Sequence, residues 1–247
     1  MIANENHKNI DDKQPLWLEK TMQLIGDEAI KKLKRSSVAI FGVGGVGSFA
    51  AEAIARCGVG KITLVDFDEI NVTNINRQIM ALNSTIGKDK VNVMSSRIKD
   101  INPNCAIRTH KVFVSNENID ELIPEETDFV IDAIDCVESK LDLIEHCFKK
   151  HIHLVSSMGT GNKLDPTKFL IDDISKTQNC PLAKAVRLGL RKRGIERGVD
   201  VVYSKEIPAK QNQRNPASIS FVPSVAGLIL AGHTIRKIIE LPDVTVC

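Results

Sequence analysis

A run of glycines, Gly42-Val43-Gly44-Gly45-Val46-Gly47, is the feature of this sequence that most limits how the chain can fold. It follows the short apolar run 38–41 directly, and a helical pattern opens at Val46 and ends at Gly58. Glycines let the backbone turn tightly between a buried strand and a helix, and the free N–H groups at the start of that helix attract an anion. The G-x-G-x-x-G spacing in this context predicts an α/β domain that binds phosphate at this turn.

Short apolar runs alternate with amphipathic helical patterns along the first two thirds of the chain. The predicted strands are residues 38–41, 61–65, 106–114 (one or two strands), 129–133 and 152–156. The predicted helices are two short ones within residues 16–34, separated at Gly26, and then 46–57, 88–101 and 137–150. This alternation predicts a Rossmann-like, mostly parallel sheet with helices on both faces.

The pattern changes after Gly161. Strands are predicted at residues 169–171, 199–203 and 219–222, and helices at 181–193 and 223–239. We expect these elements to form an additional C-terminal lobe of strands and helices. A chain of 247 residues suits one α/β domain, so the prediction is a flexible N-terminus over residues 1–15 and a single domain over 16–247.

The composition excludes several classes of protein. The chain is 43% hydrophobic and 26% charged with a net charge of +2, so no overall charge demands a nucleic acid or a membrane. Its six cysteines form no C-x-x-C pair, which argues against a disulfide framework and a tetrahedral zinc site. We expect neither a signal peptide at the polar N-terminus nor a membrane anchor, because no apolar stretch is long enough to span a bilayer. We therefore expect a cytoplasmic protein.

Charged residues after the glycine turn indicate which nucleotide is bound. Asp66 ends the next strand about 20 residues on, where a carboxylate can accept hydrogen bonds from ribose hydroxyls. Arg77 and Lys90 follow, and the strand 129–133 brings Asp132 and Asp135 to the carboxyl edge of the sheet. Cations and an acid that can hold Mg²⁺ suit a triphosphate, whereas hydride transfer with NAD needs neither. Asp132 is either a support for the metal or only a strand-end carboxylate.

Five motifs in this order, GVGGVGS, LVDFDEI, NINRQ, GKDKV and VIDAID, resemble the ubiquitin-activating-enzyme-like superfamily, which includes the ThiF, MoeB and HesA proteins. The resemblance implies a homodimer that uses ATP and Mg²⁺ to adenylate a carboxylate and releases pyrophosphate. The nucleotide-binding residues that it implies are Gly42, Gly44, Gly45, Gly47, Asp66, Asp68, Asn74, Arg77, Gln78 and Lys90. Arg77, Lys90 and Asp135 would be catalytic, with Asp135 also holding the metal. Related enzymes carry an N-terminal arginine that reaches the partner subunit's ATP, and the matching position here is Lys20.

The C-terminal half resembles one branch of that superfamily. The segments SSMGTGNKLDPTKF, ISKTQNCPLAKAVRLGLRKRGI, VVYSKE and FVPSVAG are similar to the branch that dehydrates threonylcarbamoyladenosine in tRNA. The resemblance implies that the threonyl carboxylate is adenylated and that an internal nitrogen then closes a ring and expels AMP. The partner would be a tRNA that carries this nucleoside at position 37, and a sulfur-relay protein is a further candidate partner.

One short segment concentrates the basic residues of the C-terminal half. Its candidate tRNA-binding residues are Lys184, Arg187, Arg191, Lys192 and Arg193. Cations on one helix could contact the phosphates of an anticodon stem without reading bases. The alternative is an ordinary solvated helix face.

Three other functions remain open at this stage. The chain could adenylate the C-terminus of a sulfur-carrier protein, although the lack of C-x-x-C pairs counts against it. It could also be an NAD-dependent sensor or dehydrogenase, or an RNA-binding protein in which ATP is only structural. Cys180 is either a reactive thiol, as in some members of the superfamily, or an incidental loop residue.

Overall fold

A computed structural model of the protein describes residues 15–209 and 216–241, and seven strands form one sheet within them. The strands are β1 Ser37–Phe41, β2 Lys61–Val65, β3 Ala106–His110, β4 Phe129–Asp132, β5 His153–Ser157, β6 Phe169–Asp173 and β7 Asp200–Ser204. The helices are α1 Glu19–Ile25, α2 Asp27–Arg35, α3 Gly47–Arg56, α4 Lys90–Ile101, α5 Ile119–Leu122, α6 Val137–Lys149, α7 Pro181–Lys192 and α8 Phe221–Ile238.

The sheet has the order β3-β2-β1-β4-β5-β7-β6. All neighbouring strands pair in parallel except β6 and β7, which pair antiparallel. The predicted α/β architecture is therefore confirmed. The strand order reverses between β1 and β4, and ligands of open α/β sheets bind at such a point, outside the carboxyl ends of the strands.

The central strand β1 is buried along its whole length, because helices cover both faces of the sheet. Helices α3 and α8 pack against each other. Gly227 permits this close approach, since a Cβ atom there would lie 2.2 Å from the carbonyl oxygen of Val46. The start of α8 is thereby held beside the glycine turn.

One predicted strand is wrong. The apolar run 219–222 is not a strand, because α8 begins at Phe221 within it. Pro223 lies in the first turn of α8, where a residue without an N–H group sacrifices no helical hydrogen bond. The apolar pattern thus belongs to a buried helix end.

Three further expectations concern the chain ends and the membrane. Residues 1–14, nearly all of the expected flexible N-terminus, lie outside the described residues. Among the described helices, none has both the length and the hydrophobicity that crossing a bilayer requires. The five cysteines within the described ranges are free thiols.

Candidate active site

The glycine turn is closely packed at both ends and open in the middle. Gly42 has a φ of +85°, and a Cβ atom there would lie 2.6 Å from the carbonyl oxygen of Ala133. At Gly47 a Cβ atom would lie 1.8 Å from the carbonyl oxygen of Gly42. At Gly44 the nearest atom would be the Nε2 of Gln78 at 3.9 Å. The turn can therefore bring its backbone close to a ligand.

Asp66 at the end of β2 is tied to the glycine turn. Its Oδ2 accepts a hydrogen bond from the Val43 N–H at 2.6 Å, and its Oδ1 accepts one from the Asp68 N–H at 2.9 Å. Burial raises the pKa of Asp66, and the nearby Lys90 ammonium offsets part of that rise. The carboxylate lines the cavity and retains acceptor capacity for ribose hydroxyls.

Lys90 is the first residue of α4 and is 5% exposed. Its Nζ lies 2.6 Å from the Oδ2 of Asp68 and 3.8 Å from the Oδ1 of Asp66. Its positive charge is therefore shared between two carboxylates. A phosphate that approached Lys90 would compete with the half-exposed Asp68.

The segment after β2 places two amides and a guanidinium at the cavity. Asn74 is buried, and its Oδ1 accepts a hydrogen bond from the Asn71 N–H at 3.0 Å. The Nη1 of Arg77 donates to the carbonyl oxygen of Thr73 at 2.8 Å. Within the described residues no carboxylate pairs with Arg77, so its charge is available to an anion. Gln78 is also buried, and its Oε1 has no hydrogen-bond partner there.

Two aspartates, one at the end of β4 and one just after it, have different surroundings. Asp135 is exposed, lines the cavity, and has no hydrogen bond or ion pair within the described residues. Asp132 is fully buried, and its Oδ2 lies 2.7 Å from the Nζ of Lys140 and 2.6 Å from the Oγ of Ser156. Its Oδ1 accepts a hydrogen bond from the Ile134 N–H at 3.0 Å. Asp132 therefore forms a buried ion pair with Lys140.

Sequence reasoning missed Lys140, although a signal was present. Lys140 lies between Ser139 and Leu141 on the buried side of α6, where a lysine needs a counter-ion. It also missed Phe67 and Phe113, whose rings meet edge to face with centroids 5.2 Å apart. Both rings line the cavity and offer an apolar wall for a base.

One cavity of about 560 Å³ unites these residues, which is a size typical of ligand sites. Of the residues proposed above for the nucleotide, those lining it are Gly42, Gly44, Gly45, Asp66, Asp68, Asn74, Arg77, Gln78 and Lys90, together with Asp135. Gly47 does not line the cavity and instead lets the start of α3 pack against Gly42. The cavity continues past Asp135 to Ser157–Gly161, Leu182 and Pro216.

The family model for the ThiF family matches residues 18–246. The chain belongs to the ThiF family. It is 47% identical to the tRNA threonylcarbamoyladenosine dehydratase of Bacillus subtilis strain 168, over 87% of this chain and 92% of that protein. It is 41% identical to the protein of that name from Escherichia coli K12, over 75% of this chain and 72% of the relative.

Solved structures show the same relationship. The crystal structure of the E. coli dehydratase TcdA in complex with ATP superposes with a TM-score of 0.84 at 36% identity, over 90% of this chain and 93% of that chain. The complex of TcdA with AMP gives a TM-score of 0.85. The predicted family and fold are therefore confirmed.

The basic helix α7 of this ThiF-family protein divides into two groups. Lys184, Arg191 and Lys192 are exposed and have no acidic partner within the described residues. Arg187 instead donates from Nη1 to the carbonyl oxygen of Thr177 at 3.1 Å. Arg187 has no acidic partner within those residues either, but this bond holds its half-buried guanidinium against the loop before α7, so the first group is more exposed to a polyanion.

Arg193 directly follows α7 and points to a different role. It forms ion pairs of 2.6, 2.6 and 2.9 Å with three carboxylates of α6, those of Glu138, Asp142 and Glu145. These contacts tie α7 to α6, which makes Arg193 a structural residue in this conformation.

Two further residues of this ThiF-family protein, Cys180 and Lys20, are not part of the cavity lining. Cys180 is buried, and its Sγ accepts a hydrogen bond from the Ala183 N–H at 3.5 Å, so it caps α7. Lys20 is exposed on α1, and its Nζ donates to the Oε1 of Gln23 at 3.3 Å.

Proposed function

We propose that this protein is an ATP-dependent enzyme that dehydrates threonylcarbamoyladenosine at position 37 of tRNA through an acyl-adenylate. The observation that carries this proposal is the cavity that Arg77, Lys90 and Asp135 line together with the glycine turn. The names of the relatives support the substrate, and they favour it over a sulfur-carrier protein. The ATP and AMP complexes of E. coli TcdA support the nucleotide.

The residues around the turn can be given separate tasks. Asp66 would hold the ribose hydroxyls, and the unpaired N–H groups of the turn would hold phosphate oxygens. Arg77 and Lys90 would neutralise charge that develops on the α-phosphate during attack by the carboxylate. No general base is needed for that attack, because a carboxylate is already ionised at neutral pH.

Mg²⁺ fits the donors that this cavity offers. Magnesium is commonly bound by one or two carboxylates together with substrate phosphates and water. The free carboxylate of Asp135 meets that requirement, whereas Asp132 is consumed by Lys140. Mg²⁺ at Asp135 would supply charge neutralisation for the phosphates.

The exposed cations of α7 would contact the tRNA backbone, and we restrict that proposal to Lys184, Arg191 and Lys192. We also infer a homodimer that acts in the cytoplasm. Exposed apolar side chains on the segment between β2 and α4 support the dimer, since Val72 and Leu82 are 59% and 52% exposed. Light scattering in solution measures the mass, and a monomer at micromolar concentration would argue against the dimer. A role for Lys20 across that dimer and a sulfur-relay partner stay predictions.

Mass spectrometry of nucleosides tests the reaction. Modified tRNA incubated with the protein, ATP and Mg²⁺ should show the threonylcarbamoyl nucleoside lighter by one water. Pyrophosphate exchange that a small carrier protein stimulates, and that tRNA does not, would contradict the proposal.

The Arg77→Ala variant tests the assigned chemistry. Removing this cation should lower tRNA-dependent pyrophosphate exchange by roughly 10²–10³-fold, the usual effect of losing one group that stabilises transition-state charge. The melting temperature should fall by only a few degrees, because Arg77 forms no ion pair within the described residues and its hydrogen bonds to Thr73 and Asn76 are exposed. Arg108→Ala is the control. Arg108 lies on the edge strand β3, does not line the cavity, and pairs with Glu126. Equal exchange rates in both variants would remove the role of Arg77.

A further inference from the structure

We propose that the backbone N–H groups of Gly159, Thr160 and Gly161 form the site that holds the acyl oxygen while the ring closes. This inference rests on the proposed function and assigns a task to the part of the cavity beyond the nucleotide residues.

Backbone hydrogen bonds anchor this loop at both of its ends. On one side the Met158 N–H donates to the carbonyl oxygen of Val202 at 2.8 Å. On the other side the Asn162 N–H donates to the carbonyl oxygen of Ala217 at 2.8 Å, and the Asn162 Oδ1 accepts from the Ala217 N–H at 2.7 Å. Between these anchors, Gly159, Thr160 and Gly161 donate to no acceptor within the described residues. These three residues are half-buried, and an N–H group that finds no acceptor in the described part of the chain needs water or a ligand.

The loop lies at the correct end of the sheet for an acyl group. Asp66 follows β2, the glycine turn follows β1, Asp135 comes after β4, and the loop follows β5, in the spatial order of the strands. Adjacent strands are about 4.8 Å apart, so β5 lies about 10 Å from β1 along this edge. With the ribose at Asp66 and the phosphates at the turn, the group joined to the α-phosphate is placed towards β4 and β5.

Close packing holds the loop in this position. A Cβ atom at Gly161 would lie 2.5 Å from the Cβ of Pro216, and one at Gly159 would lie 3.3 Å from the Sγ of Cys180. Cys180 is buried, and Ala217, which follows Pro216, is hydrogen-bonded to Asn162. Donors that are held in place before the reaction cost no reorganisation when charge develops on an oxygen.

A ureido nitrogen of the substrate attacks the carboxyl carbon, a C–N bond forms, and the carbonyl oxygen takes the electron pair as an oxyanion. The oxyanion returns the pair, the C–O bond to the phosphate breaks, and AMP leaves. The N–H proton passes to water. The three N–H groups would stabilise the oxyanion between these two events.

Amide NMR of the wild-type protein tests the contact directly. The probe is a non-hydrolysable acyl-sulfamoyl adenosine that carries the threonylcarbamoyl group. Its binding should move the amide proton signals of Gly159, Thr160 and Gly161 downfield, and saturating ATP or AMP alone should not. Equal shifts with ATP would assign the loop to the phosphates and overturn the proposal, as would unmoved signals at saturation with the analogue.

A proline variant tests the consequence for the reaction. Thr160→Pro deletes one donor, and it should slow ring closure about 10²-fold or more while ATP affinity stays within about twofold. The adenylate should then accumulate. Glu125→Pro is the control. It removes an N–H that has no acceptor among the described residues, at a surface turn closed by the Pro124 carbonyl and the Thr127 N–H.

The outcomes separate the two proposals. Unchanged closure in Thr160→Pro, or a fall in ATP affinity as large as the fall in turnover, overturns the role of the loop. Failure of the wild-type protein to produce the water-loss nucleoside overturns the proposed function instead. If Thr160→Pro does not fold, the NMR titration of the wild-type protein decides.

Discussion

The ion pair between Lys140 and Asp132 gives the sharpest prediction for stability. Both side chains are 0% exposed, and the Nζ–Oδ2 distance is 2.7 Å. Replacing Lys140 by Met keeps an unbranched side chain that is one atom shorter, but leaves the Asp132 carboxylate buried with only the Ser156 hydroxyl and the Ile134 N–H. Breaking a buried pair from one side typically costs about 3–5 kcal/mol, because the remaining charge keeps its desolvation penalty.

The expected loss translates into a measurable shift. For a chain of this size about 1 kcal/mol lowers the melting temperature by about 2–4 °C, so Lys140→Met should melt roughly 6–20 °C lower. Chemical unfolding followed by circular dichroism measures the free energy of unfolding. In the double variant Lys140→Met/Asp132→Ala the charge is gone from both sides, so it should be less destabilised than the two single variants added together.

Lys149→Met on the same helix is the matched control. Lys149 pairs with Glu145 across one helical turn at the surface, and exposed pairs contribute about 0–1 kcal/mol. A loss below about 1 kcal/mol in Lys140→Met, or strictly additive losses in the double variant, would refute the assignment of Asp132 as a buried structural anion. A selective loss of Mg²⁺ dependence with normal stability would assign Asp132 to the metal instead.

Three other predictions follow from the same structure. Gly42→Ala should cost about 1–3 kcal/mol and abolish ATP binding measured by calorimetry, since φ is +85° and the Cβ would meet the Ala133 carbonyl; normal affinity would contradict the tight turn. Burial raises the pKa of Glu52, but hydrogen bonds from Arg97 and Arg56 outweigh burial and hold that pKa below 4.5. The stability that Glu52 contributes is therefore present above its ordinary pKa and is lost as the pH falls through its lowered, folded-state pKa. The Glu52→Gln variant should accordingly lose less stability than the wild-type protein as the pH falls. Parallel curves of stability against pH would show that Glu52 does not contribute to acid unfolding. Arg191→Glu/Lys192→Glu should weaken tRNA binding and reduce its salt dependence in filter binding, and an unchanged salt slope would remove α7 from the interface.

Much of the architecture could be predicted from the sequence. A parallel α/β sheet is predicted by three local features: the glycine turn, Asp66 at the end of the next strand, and the alternation of short apolar runs with amphipathic helical patterns. Each can be read from residues that are close together in the sequence. Sheet geometry could bring Asp132 and Asp135 to the carboxyl edge, and the family resemblance implied that Arg77 and Asp135 belong to the site. The failure at 219–222 arose because a four-residue apolar run has no period that separates a strand from a helix end.

The roles of individual charges depended on tertiary contacts. Arg193 and Lys192 are adjacent basic residues with identical local signals, yet Arg193 meets three carboxylates from α6 and Lys192 meets solvent. Asp132 and Asp135 are three residues apart in the sequence. Asp132 is a structural anion because it pairs with the buried Lys140 of α6, whereas Asp135 has no such partner within the described residues. The local periodicity of apolar residues decides which helices and strands form. Which charges pair depends on the elements that packing brings together, and those elements are far apart in the sequence.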